Sequence, residues 1–147
     1  LEPVRDGGVP ATGTAAGRLG GLGMRFAPAA SLEAVPAARP LADGDRIGGP
    51  DGLRVLHAPG HTPGHIALHL ERDGGILFAG DAAANIMGRL GKPLVATDWE
   101  AARASVGRLS DLEFETALFG HGKPIVGGAS ARLRAWSGRH AGPGARW

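Results

Sequence analysis

The sequence predicts an α/β fold, a mixed β-sheet flanked by helices, on three observations. Short apolar runs of strand length recur between Leu53 and Phe119, separated by clusters of Gly and Asp. A segment with helical periodicity lies between the last two of these runs. The order of elements lets that helix return the chain to a parallel strand, a crossover that is right-handed in nearly all sheets.

The elements follow in order. Residues 1–39 are rich in Gly, Ala and Pro, and the mildly apolar Leu19–Phe26 is broken by Gly20, Gly21 and Gly23. This stretch reads as a connector, since glycine inside a helix costs about 1 kcal/mol relative to alanine. From Pro40 turn clusters appear, Asp43-Gly44-Asp45 and Gly48-Gly49-Pro50-Asp51-Gly52. Leu53–His57 is the first clear strand. Residues 66–71 form a second, with Ile66, Leu68 and Leu70 on one face and Ala67 and His69 on the other. Arg72-Asp73-Gly74-Gly75 makes a hairpin turn into Ile76–Ala79, a continuous apolar run expected of a strand buried on both faces. Thr97-Asp98-Trp99-Glu100 resembles a capping box with Thr97 as the cap. Trp99, Ala102, Val106 and Leu109 then recur at spacings of three and four, one apolar helix face. Residues 115–119 read as another buried strand. A last helix is expected from about Ala129 to Arg139, with Leu133 and Trp136 facing inward, followed by a frayed tail over 141–147. Residues 40–140 are thus the folded unit.

Composition narrows the function classes. The chain has 147 residues, 43% of them hydrophobic, and a formal net charge of +2 with neutral histidines. Its basic residues are scattered and its aromatic residues few, so a nucleic-acid groove is not expected. No apolar run reaches membrane-spanning length, and the polar start, Leu1 to Asp6, shows no signal peptide, so a cytoplasmic protein without membrane contact is expected. There is no cysteine. Disulfides, thiolate metal sites and cysteine nucleophiles are therefore excluded.

The strand order makes a geometric prediction. If residues 53–57 and 76–79 both run antiparallel to 66–71, they point the same way, and the crossover aligns 115–119 with them. Three strands then end on one edge of the sheet, where α/β proteins place their sites. After the first comes Gly60-His61-Thr62-Pro63-Gly64-His65, after the second Gly80-Asp81, and after the third Gly120-His121-Gly122. Each residue alone has an ordinary reading, as a loop histidine or a turn aspartate. Two imidazoles and a carboxylate at matching strand ends instead suggest a metal site for zinc by default, with iron and manganese also suited. His65 and Thr62 are expected to order the loop and orient the ligands by hydrogen bonding. His57 and His69 are expected on strand faces.

Pro59–His65, Phe78–Asp81 and Phe119–Gly122, in that order, resemble the three later motifs of metallo-β-lactamase-fold hydrolases. The resemblance covers roughly residues 40–136. It implies one half of that family's αββα sandwich, in which each half covers the other's apolar sheet. It implies two zinc ions, His61 a ligand of the first, His121 of the second, and Asp81 the catalytic carboxylate bridging them, with a hydroxide held there attacking a small-molecule ester, thioester, lactone or phosphoester. Zinc β-lactamases themselves replace the aspartate by cysteine or serine, so antibiotic hydrolysis is not expected.

The family's His-x-His-x-Asp-His motif, which precedes these three, is missing, because His57 is the first histidine of the sequence. Each ion is left one histidine and a shared aspartate, whereas a catalytic zinc normally has three protein ligands. The isolated chain is therefore expected to be inactive or weakly active and to form part of a longer enzyme. The alternative is a non-catalytic remnant or interaction module. An uncovered sheet face of several hundred Å² is expected to promote self-association.

Overall fold

The computed structural model describes residues 39–140, so the expected connector (all but Arg39) and the tail of 141–147 lie outside the described residues. The described elements are β1 (Arg46–Ile47), β2 (Leu53–His57), β3 (Ile66–Leu70), β4 (Ile76–Gly80), β5 (Ala84–Ile86), β6 (Arg89–Gly91), α1 (Trp99–Ser110), β7 (Thr116–Phe119), β8 (Ile125–Val126) and α2 (Ala129–His140). Six of the strands form one sheet in the order β1-β2-β3-β4-β7-β8, and β5 and β6 pair as a separate ribbon.

The predicted directions hold. β2 and β4 both pair antiparallel with β3, and β7 pairs parallel with β4 after the α1 crossover. The turn between β3 and β4 closes with the Gly75 amide donating to the Arg72 carbonyl at 3.0 Å. All three expected strands therefore end on the same edge.

The core lies on one side of the sheet. Leu56, Ala67, Leu77, Ala79, Ala117 and Ile125 project toward the helices and pack with Val106, Leu109, Phe114, Leu133 and Trp136. Much of this helix-facing side is alanine, which lets α1 and α2 lie close against the strands. Leu133 and Trp136 are buried, as their spacing predicts.

The opposite face corrects two expectations. β4 and β7, expected to be buried on both sides, are buried on one: Leu77 and Ala117 are inaccessible, while Phe78 and Leu118 each remain 36% exposed. The register sets Val55, Leu68, Phe78 and Leu118 opposite one another across four strands. The continuous apolar runs are real, but cover along this stripe is uneven: Val55 is inaccessible and Leu68 half-buried, whereas Phe78 and Leu118 stay open. In β3 the buried residues are Ala67 and His69, and the bulkier Ile66, Leu68 and Leu70 are only half-buried.

The start of α1 is a further correction. Its cap is Asp98, whose Oδ1 accepts from the amides of Glu100 and Ala101 at 2.9 and 3.0 Å. The Thr97 hydroxyl instead donates to the Gly60 carbonyl at 3.1 Å. A carboxylate reaching the second and third amides caps as well as a hydroxyl does, which frees Thr97 to tie the helix to the loop after β2. No described helix is long and apolar enough to cross a membrane.

Candidate metal centre

The loop that carries His61 is fixed to the start of α1. The Gly60 carbonyl accepts from the Thr97 amide (2.8 Å), the Asp98 amide (3.0 Å) and the Thr97 hydroxyl. Ser105, buried in α1, donates to the Pro59 carbonyl at 2.7 Å. Gly60 has φ of 136°, and a β-carbon there would lie 2.3 Å from the Ala102 backbone. Only glycine permits both the conformation and the approach. Thr62 orders the loop through its carbonyl, which accepts from the Gly60 and His65 amides at 3.1 and 3.3 Å.

The three sequence-predicted ligands meet. His61 Nε2 lies 3.6 Å from Asp81 Oδ2, and His121 Nε2 lies 3.6 Å from Asp81 Oδ1. The β4–β7 pairing brings them together: Gly80 stands beside Phe119, and the Gly120 amide donates to the Gly80 carbonyl at 2.8 Å. Gly120 also makes room, since a β-carbon there would lie 2.3 Å from Asp81 Oδ1.

The hydrogen bonds behind these side chains orient them. His61 Nδ1 lies 3.0 Å from the Val95 carbonyl. A carbonyl only accepts, so Nδ1 donates to it, and Nε2 is the nitrogen that faces the carboxylate, at a distance too long for a hydrogen bond. With Nε2 bare, that separation suits a cation between the two groups. His65 is spoken for at both nitrogens. Its Nδ1 donates to the Ala58 carbonyl at 3.1 Å, and its Nε2 accepts from the Asp81 amide at 3.0 Å. Burial, the largest influence, holds its pKa below the usual histidine value, and the neutral ring is the form that accepts from Asp81. His65 thus steers Asp81 and has no nitrogen left for a metal.

Among the described residues no group of three or more His, Cys, Asp or Glu is placed to hold one metal ion. The two imidazoles sit on opposite carboxylate oxygens, so each side of Asp81 offers one nitrogen and one oxygen. Both donor types suit zinc, iron or manganese. Each side falls short of the three protein ligands of a catalytic zinc.

Sequence reading missed Asn85. It is 2% exposed, and it clamps the loop of His121: its amide donates to the His121 carbonyl at 3.1 Å, its carbonyl accepts from the Lys123 amide at 3.0 Å, and its Nδ2 donates to the Lys123 carbonyl at 2.7 Å. The signal was an amide side chain in the otherwise apolar Ala82–Ile86. The role of the Val95 carbonyl leaves no side-chain signal. His57 and His69 stand apart from the centre, bonded to the carbonyls of Pro63 and Glu113.

Comparison with known proteins agrees with this architecture. The family model described as the metallo-beta-lactamase superfamily matches residues 3–121. A hydroxyacylglutathione hydrolase of Cereibacter sphaeroides (strain ATCC 17025) is 42% identical over 81 residues, 53% of this chain and 29% of that protein. The crystal structure of a metallo-beta-lactamase family protein from Thermus thermophilus matches with a TM-score of 0.55 at 33% identity, over 71% of this chain and 36% of that one. A second crystal structure, of a protein in a di-iron-bound form, matches with a TM-score of 0.51 at 36% identity, over 66% of this chain and 47% of that one. The chain spans about a third of the length of the curated relatives it matches.

Proposed function

The chain belongs to the metallo-beta-lactamase superfamily, and from that premise we propose that its sheet edge supplies part of a two-metal hydrolytic centre. His61 would hold one ion and His121 the other, with Asp81 between them. The observation that carries this reading is the pair of 3.6 Å separations between the histidine Nε2 atoms and the two oxygens of one carboxylate. Bound metal would supply a water acidic enough to ionise near neutral pH and a Lewis acid for the substrate's oxygen.

The protein's own contribution is placement. The Val95 carbonyl keeps the proton of His61 on Nδ1, so that Nε2 is free to ligate. His65 holds the backbone of Asp81 through its amide, the missing side chain of Gly120 leaves room for the Asp81 carboxylate, and Asn85 sets the loop of His121. The sequence has no cysteine, so no thiolate competes as nucleophile.

The substrate class is an ester, thioester, lactone or phosphoester. A thioester is supported by the similarity to a hydroxyacylglutathione hydrolase, and iron alongside zinc by the di-iron neighbour. The alternative reading is a non-catalytic module that keeps this half of the centre. A chimera decides between them, with the motif-bearing N-terminal part of the Cereibacter hydrolase joined ahead of this chain. Metal-dependent hydrolysis of one of the four substrate classes, lost in Asp81→Asn, is the expected result. A folded chimera that takes up metal and hydrolyses none of them leaves the non-catalytic reading.

A further inference from the structure

A cleft of about 360 Å³ lies between β6 and α2, lined by Arg89, Leu90, Arg132, Ala135, Trp136 and Arg139. None of His61, Asp81 and His121 lines it. We propose that this cleft is a binding site for a small molecule carrying two anionic groups, phosphate or carboxylate, gripped by Arg89, Arg132 and Arg139.

The charge pattern carries the assignment. The segments that build the two walls contain no acidic residue: there is no Asp or Glu between Ala82 and Thr97, nor between Thr116 and His140. Arg46, Arg54, Arg72, Arg108 and Arg134 each form an ion pair with a carboxylate, and none of those pairs involves Arg89, Arg132 or Arg139. Arg132 sits early in α2, at the helix end that repels cations, and the carboxylates that reach that end, Glu113 and Glu115, are engaged by Ser130, Arg134 and the Gly128 amide. Its Nη2 reaches to 3.5 Å from the carbonyl of Gly88, the residue before Arg89 in the chain, and both arginines line the cleft.

The spacing indicates more than one anionic group. Arg132, Trp136 and Arg139 recur at intervals of four and three and so share a helix face, and Arg132 and Arg139 lie about 10 Å apart along the axis. Planar guanidinium groups grip carboxylate and phosphate oxygens in pairs. Trp136 is 7% exposed and belongs to the core, so it can floor the cleft but cannot serve as a stacking platform for a base. That disfavours single-stranded nucleic acid, which needs exposed rings.

Pyrophosphate and succinate are the probes, titrated into the chain in metal-stripped buffer at constant ionic strength and followed by NMR of the arginine side-chain N–H groups. The expected result is saturable binding of at least one probe, with shifts confined to Arg89, Arg132, Arg139 and the Trp136 indole; which probe binds tighter identifies phosphate or carboxylate as the source. Arg132→Gln with Arg139→Gln should weaken binding about tenfold or more. Arg134→Gln removes the same charge from a residue paired with Glu113 and should leave binding unchanged. Equal weakening by Arg134→Gln, undiminished binding in the double variant, or no saturation by either probe would overturn the proposal. So would tighter binding of a short single-stranded oligonucleotide through the same arginines. Metal plays no part in this test, so its outcome is independent of the hydrolytic reading.

Discussion

Gly60→Ala tests how the loop of His61 is built. The new β-carbon would stand 2.3 Å from Ala102 Cα and N and 2.5 Å from Ala102 Cβ, against ordinary carbon contacts of about 3.5–4.0 Å. The helix or the loop must move by more than 1 Å, roughly the difference between those distances. That movement stretches the three hydrogen bonds on the Gly60 carbonyl. Forced overpacking costs about 1–3 kcal/mol, and holding a non-glycine residue at φ of 136° adds about 1–3 kcal/mol. The sum, about 2–6 kcal/mol, is a large part of the 5–15 kcal/mol that typically holds a domain together. Urea unfolding followed by tryptophan fluorescence measures it. Gly64→Ala is the internal control, because a β-carbon there meets nothing within 4 Å; its stability should stay within about 1 kcal/mol of the parent. A Gly60→Ala chain that unfolds within 1 kcal/mol of the Gly64→Ala chain would refute this account of the loop.

Other expectations follow from single contacts. Asp98→Ala removes the acceptor for two amides at the start of α1 and should cost about 1 kcal/mol in chemical denaturation; no loss would mean that the cap is redundant. His65→Phe keeps a ring but deletes the acceptor of the Asp81 amide, leaving a half-buried donor unpaired at about 1–3 kcal/mol and weakening zinc uptake in calorimetry; unchanged uptake would show that Asp81 needs no such support. Asn85→Ala should loosen the loop of His121, read as faster amide exchange at Gly122 and Lys123 with little change at Leu77; uniform acceleration would point to global destabilisation alone. Phe78→Ser with Leu118→Ser should reduce self-association on a sizing column, because both side chains stand on the open face; an unchanged elution profile would remove that face from any assembly.

How much of this was legible in the sequence depended on whether side-chain pattern decides the structure. The order β2, β3, β4, α1, β7 could be read because strand and helix periods differ and the turns carry Gly and Asp. The meeting of His61, Asp81 and His121 followed from strand direction alone. β5, β6 and β8 were missed, since strands of two or three residues are too short to show a period. Burial on both faces was wrongly expected for β4 and β7, because an apolar run reports what a side chain prefers and not whether a second layer covers it. The cap went to Thr97 instead of Asp98 because neighbouring residues can both accept, and the choice was made by the Gly60 carbonyl, a partner 37 residues away. Asn85 and Val95 act largely through backbone groups, which every residue carries alike.

If one carboxylate and two imidazoles share a cation-binding edge, a single ion titration should reach both histidines together. Long-range proton–nitrogen NMR of the histidine rings during Zn²⁺ titration of the full chain tests it most directly. The Nε2 resonances of His61 and His121 should shift together while those of His57, His65 and His69 hold still, and Asp81→Asn should weaken both shifts. Zn²⁺ perturbing other histidines first, or His61 and His121 responding as before without the Asp81 carboxylate, would contradict it.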